Sequence, residues 1–190
     1  MSQAHTSRIR LARWAYAAVL LLAAALPPPS PAQSVTASEV KAAFVYNFAK
    51  FVDWPPASQP SDAITFCLMG QSETTEVLQR TLPGKTVNAR RVALKRIHRT
   101  PELSLCQILF LADDAGRDAE TYLAESRTLP ILSVTEISGM ADRGVMIEFV
   151  LEENKVRFEI NLDSANRAGL KISSKLLSLA RVVNVGKGGP

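Results

Sequence analysis

Three short apolar runs constrain this chain more than any other feature: "AITFCLM" (Ala63 to Met69), "CQILFLA" (Cys106 to Ala112) and "PILSVTE" (Pro130 to Glu136). Each has the length of a strand, and the first two are apolar on nearly every residue, so both of their faces must be covered. The stretches that join them have helical character. "SETTEVLQRTL" follows a turn at Gly70, with Ser72 placed to cap it, and Pro83-Gly84 breaks it. Asp113-Asp114 opens a second helix, "AGRDAETYLAESR", which leads into the third run. Between the first two runs "RRVALKRI" alternates and reads as a half-exposed strand. Strands alternating with helices make a parallel sheet with helices on both faces.

The last third changes period. "GVMIEFVLEENKVRFEINL" places Val145, Ile147, Phe149 and Leu151 on one face of a strand. Val156, Phe158, Ile160 and Leu162 fall on the same face of the next, with Glu153-Asn154 as the turn. Asp163 is expected to cap a short helix, "SSKLLSLARVV" to form a final amphipathic one, and "GKGGP" to be a frayed tail. The expected fold is a single α/β domain with a mostly parallel central sheet flanked by helices and a C-terminal antiparallel hairpin.

Ahead of the sheet stands "AAFVYNFAKFVDWP" (Ala42 to Pro55), which is rich in aromatic side chains. Thr36-x-x-Glu39 is a capping box, so a helix begins near Ala37; Pro55-Pro56 stops it. At about 100° per residue, Val40, Phe44, Phe48 and Phe51 share an arc flanked by Ala43 and Val52. Tyr46, Lys50 and Asp53 lie opposite. Asn47 falls inside the arc, and a buried amide needs partners. It is expected to be a structural amide tying the helix to a neighbouring strand end or loop, a ligand contact being the alternative. Trp54 and Pro55 leave the arc at the helix end. With Tyr46 and Lys50 they are the candidate partner-binding residues, since Trp and Tyr contribute disproportionately to interfaces. The competing reading has Trp54 closing the bottom of the core.

The chain opens with Arg8, Arg10 and Arg13, then the apolar "AYAAVLLLAAAL", then "PPPSPAQS". A basic start, a short apolar run and small residues at Ser30 and Ala32 make a secretory leader over residues 1–32, with the domain at 33–190. The run is too short for a stable span of about 20 residues. The chain has 22 Lys and Arg against 18 Asp and Glu. Removing the three leader arginines from the 22 leaves 19 against 18, nearly neutral. The densest basic stretch, "ARRVALKRIHR", alternates with apolar residues like the wet face of a strand, so nucleic acid is not an expected partner.

In an oxidising compartment Cys67 and Cys106, at the ends of two apolar runs, read as a disulfide; two buried free thiols are the alternative. His98 is the only histidine beyond the leader. No metal-ligand spacing, nucleophile elbow or phosphate-binding glycine motif accompanies it. No catalytic residue, cofactor or metal is expected. Asp113-Asp114 has reason enough as a helix cap, and Gly70 as a turn. A second reading, a periplasmic small-molecule-binding module feeding a sensor kinase or transporter, would need a polar pocket near Gly70, Asp113 and Glu136.

Four stretches together resemble the YfiR family of exported proteins: "VKAAFVYNFAKFVDWP", "ITFCLMG", "CQILFLA" and "GVMIEFVLEENKVRFEINLDSANRAGLKISSKLLSLARVV". The resemblance runs from about Glu39 to Val183. Arg143-Gly144-Val145 stands where the family usually has a double glycine, and the cysteines match one of its disulfides. A second pair found in some members has no counterpart. The resemblance implies a periplasmic repressor that binds the periplasmic part of an inner-membrane diguanylate cyclase, lowering cyclic di-GMP and restraining biofilm formation. It also implies a homodimer and an outer-membrane lipoprotein that sequesters the repressor.

Overall fold

The computed structural model describes residues 35–58 and 62–183. The expected leader and the glycine-rich tail lie outside the described residues. Among the described residues no helix is long and apolar enough to cross a membrane. In chain order the first elements are α1 (Ala37–Phe48), β1 (Val52–Asp53), β2 (Ala63–Met69), α2 (Glu73–Thr81), β3 (Thr86–Val87) and β4 (Arg90–Arg96). Then come β5 (Ile108–Leu111), α3 (Asp118–Ser126), β6 (Leu132–Thr135), β7 (Ile147–Glu152) and β8 (Lys155–Asn161). The chain closes with α4 (Leu162–Arg167), β9 (Lys171–Ile172), α5 (Ser174–Leu177) and β10 (Arg181–Val183).

Eight strands form one sheet in the order β10-β8-β7-β6-β5-β2-β4-β3, and β1 and β9 pair separately. The apolar runs dictate its centre: β4, β2, β5, β6 and β7 are parallel. From β2 the chain first crosses to β4 on one side and then to β5 on the other, so the strand order reverses at β2/β5. Side chains alternate between two cores. Phe66, Ile108, Phe110, Leu132 and Ile147 meet α1 and α2 on one face. Cys67, Leu109, Leu111 and Val145 meet α3 and the 3₁₀ segment Thr100–Leu105 on the other.

The hairpin has the expected register, with Ile147 opposite Ile160, Phe149 opposite Phe158 and Leu151 opposite Val156. Glu153 and Asn154 take φ of 49° and 60°, the left-handed pair that a two-residue hairpin turn requires. Val145, however, precedes β7 and turns into the opposite core from Ile147. Cys67 and Cys106 form a disulfide across a Cα separation of 5.7 Å, joining β2 to the entry of β5.

Several local expectations are corrected. The capping box is present, with Thr36 Oγ1 accepting from Glu39 N (3.2 Å) and Glu39 Oε2 from Thr36 N (2.8 Å). But α1 ends at Phe48, well before the prolines, because Val52–Asp53 is drawn into pairing with Lys171–Ile172. Phe51 therefore leaves the helical arc and is exposed. The buried face is Ser38, Ala42, Val45 and Phe48, with Phe44 at its margin, 5.2 Å between ring centroids from Phe158.

Asp113 and Asp114 enter a 3₁₀ turn ending at Gly116, so they do not cap α3. Asn161, rather than Asp163, caps α4, its Oδ1 accepting from Ser164 N at 2.9 Å. The final helix is cut to Ser174–Leu177. Arg181–Val183 is captured instead as a parallel edge strand on β8.

Candidate functional site

Two surface features gather the polar residues, one on each face of the sheet. The first is a groove of ≈ 560 Å³ between α1 and α2, walled by Ala43, Tyr46, Val77 and Leu82 and rimmed by Arg80 and Lys85. Tyr46 projects from the outer side of α1, as its helical position demands, and its hydroxyl donates to Thr86 O at 2.7 Å. Lys50 Nζ lies 4.1 Å from the centre of its ring and Lys85 Nζ 5.3 Å, so two cations lie against one aromatic ring. With Arg80 they make the rim predominantly basic, Glu39 being an acid among the lining residues.

The expected site residues divide here. Tyr46, half-buried, and Lys50, exposed, lie together at the groove. Pro55 is half-buried beside Gly169. Trp54 is 5 % exposed and belongs to the core with Phe48 and Leu170, so its ring offers no surface for a partner. Asn47 is only half-buried, and its Oδ1 accepts from Lys50 Nζ at 3.1 Å within the same helical turn. It is not the tether expected.

That role falls to Asn161, which is fully buried: its Nδ2 donates to Ala141 O at 2.8 Å while its Oδ1 caps α4. Glu148 does similar work beside it, accepting from Gly139 N (2.8 Å) and Ala141 N (2.7 Å). These two side chains hold the loop that contains Arg143-Gly144. Strand alternation alone places them on a wet face; only the loop folded over them makes them interior.

The second feature is a cleft of ≈ 410 Å³ at the carboxyl ends of β2, β4 and β5, where the strand order reverses. Open α/β sheets bind ligands at such switch points. Gly70 makes the turn after β2 with φ +82°, and a Cβ there would strike Asp114 Oδ1 and sit 3.2 Å from Ala115 N. Two neighbours fix this turn. Arg96 Nη1 donates to Gly70 O at 2.7 Å, and Gln71 N donates to Asp114 Oδ1. The wall after β4 is fixed by Glu102, whose Oε2 accepts from His98 N (2.9 Å) and Arg99 N (3.2 Å). The His98 amide foremost holds the Glu102 carboxyl below its ordinary range.

At the base of the cleft stands Tyr122, from α3, which is 5 % exposed. Burial pushes its hydroxyl above the ordinary tyrosine value. Its position in an apolar helical pattern gave no sign of this setting. Of the residues expected for a small-molecule pocket, Gly70 lines the cleft, whereas Asp113 is exposed beside it. Glu136 is buried elsewhere, accepting from Lys41 Nζ (2.8 Å) and Thr74 Oγ1 (2.9 Å). No cluster of three or more His, Cys, Asp or Glu able to hold a metal occurs among the described residues.

The sequence matches a family model described as YfiR/HmsC-like over residues 38–181, from the second residue of α1 to the first of β10. The match spans both cores, the disulfide and the hairpin. This chain belongs to the YfiR/HmsC-like family.

Proposed function

We propose that this protein is an exported repressor that binds the periplasmic portion of an inner-membrane diguanylate cyclase and holds it inactive. It thereby lowers cyclic di-GMP and restrains biofilm formation. The observation that carries this reading is the family match over residues 38–181. Its action is binding, without turnover of a substrate. A repressor must prefer one of its target's two conformations, because equal affinity for both shifts nothing.

The surface that best suits such a grip is the α1–α2 groove, with Tyr46 as its aromatic anchor and Lys50, Arg80 and Lys85 around it. That rim is complementary to a partner segment with apolar side chains and acidic flanks. Pro55, past the end of α1 and beside Gly169, remains a candidate contact outside the groove lining. A homodimer, and capture by an outer-membrane lipoprotein, belong to the same reading.

The test is co-purification of the secreted chain with a membrane protein carrying a diguanylate cyclase domain, together with measurement of cellular cyclic di-GMP. Tyr46→Ala and Lys85→Glu should each weaken the complex about tenfold or more while leaving the fold intact. Cyclic di-GMP unchanged by deletion of the gene would reject the repressor reading.

A further inference from the structure

The cleft at the β2/β5 switch point holds a set of polar groups that the fold itself leaves unused. The Tyr122 hydroxyl is buried and has no hydrogen-bond partner among the described residues. A buried hydroxyl without a partner is costly, and the penalty falls when something enters the site to satisfy it. Asp118 and Arg99 line the same cleft with exposed side chains, and Arg99 also lies in the field of Glu102. Three charges act on the Tyr122 hydroxyl, Glu102 and Asp118 strengthening its hold on the proton and Arg99 weakening it, so charges of both signs stand near it. Asp114, by contrast, is engaged by the Gln71 amide. Met69, Ile97 and Ala115 supply apolar wall.

We infer that this cleft is a binding site for a small carboxylic acid that carries a hydrogen-bond donor beside its carboxylate, an α-hydroxy or α-amino acid. Arg99 receives the carboxylate, Asp118 accepts from the neighbouring hydroxyl or ammonium, and Tyr122 donates its proton to a carboxylate oxygen. The buried hydroxyl stays protonated at neutral pH, as a donor must. A doubly charged phosphate is a poorer fit than a singly charged carboxylate, because Asp114 and Asp118 oppose the larger charge more strongly and a phosphate carries no ammonium to offset them. The site lies on the opposite sheet face from the Tyr46 groove, and the inference does not depend on the cyclase reading.

The test uses the purified chain, with calorimetric titration and thermal unfolding in L-lactate and L-leucine, against acetate and ethylamine as single-group controls. The two-group probes should bind and raise the unfolding temperature, and the controls should not. Arg99→Ala and Tyr122→Phe should each weaken that binding about tenfold. Without ligand, Tyr122→Phe should unfold at the same temperature as wild type or about 1–3 °C higher, since an unsatisfied hydroxyl has been removed.

Failure of both two-group probes to bind overturns the assignment. So does binding that survives both substitutions unchanged. An apo Tyr122→Phe chain that unfolds at a lower temperature also overturns it, because the hydroxyl then has an internal partner.

Discussion

Lys41 Nζ lies 2.8 Å from Glu136 Oε2, joining α1 to the residue that follows β6. The Glu136 side chain is 4 % exposed and that of Lys41 24 %, and Thr74 Oγ1 donates to the same carboxylate oxygen at 2.9 Å. One carboxylate thus anchors both helices of this sheet face. Removing one partner strands the other charge in the interior, which costs more than the pair contributes. Lys41→Met should destabilise the chain by about 2–4 kcal/mol, and adding Glu136→Leu should restore part of that loss. Urea unfolding of the two singles and the double decides it; strict additivity would show that the pair is not coupled.

The disulfide closes a loop with a sequence separation of 39. In the chain-entropy account that restricts the unfolded state by roughly 4 kcal/mol. Cys67→Ser should lower stability by about 2–4 kcal/mol, and a reductant should do the same to the wild-type chain. Thermal unfolding with and without dithiothreitol, beside thiol titration of the denatured protein, checks this. Equal melting temperatures would contradict it.

Gly70 is required twice over, by its φ of +82° and by the closeness of Asp114 and Ala115. Gly70→Ala should cost about 2–3 kcal/mol, part from the left-handed backbone and part from displacing the Asp114 carboxylate. In an Asp114→Ala background the second part disappears, so the same substitution should cost less there. Denaturation midpoints of the four chains measure both parts.

Glu102 gives the stability a defined acid dependence. Its folded carboxyl is held below the ordinary range, chiefly by the His98 amide and with help from the Arg99 amide and Lys95. A group whose value is lowered by folding stabilises the protein above its unfolded value. That contribution fades as pH falls through the folded one. Glu102→Gln should therefore be less stable than wild type at neutral pH, and the difference should close in acid. Unfolding midpoints across a pH series test this, and parallel curves would refute it.

Local signals carried most of the architecture. Ile64, Phe66 and Leu68 sit in a run too apolar to be anything but an interior strand, and Glu153-Asn154 between alternating runs fixed the hairpin register. What could not be read depended on distant partners. The end of α1 is decided by Lys171–Ile172, and the fate of Arg181–Val183 by the open edge of β8. Asn161 and Glu148 look solvent-facing until the loop at 139–141 covers them. Trp54 follows its competing reading and closes the core, while Asn47 misses the buried face because that face is Ser38, Ala42, Val45 and Phe48 rather than the arc drawn from the aromatic spacing. Tyr122 and Arg99 had no motif at all; only the crossing from β4 to β5 brings them to one cleft.

Gln71 and Ser72 are all that separate Gly70 from α2, and the far half of that helix supplies Val77 to the wall of the α1–α2 groove and Arg80 to its rim. A nine-residue helix is a stiff rod of about 14 Å. Its near end therefore follows directly on the turn that Asp114 holds through Gln71, and its far end stands in the wall of the groove across the sheet.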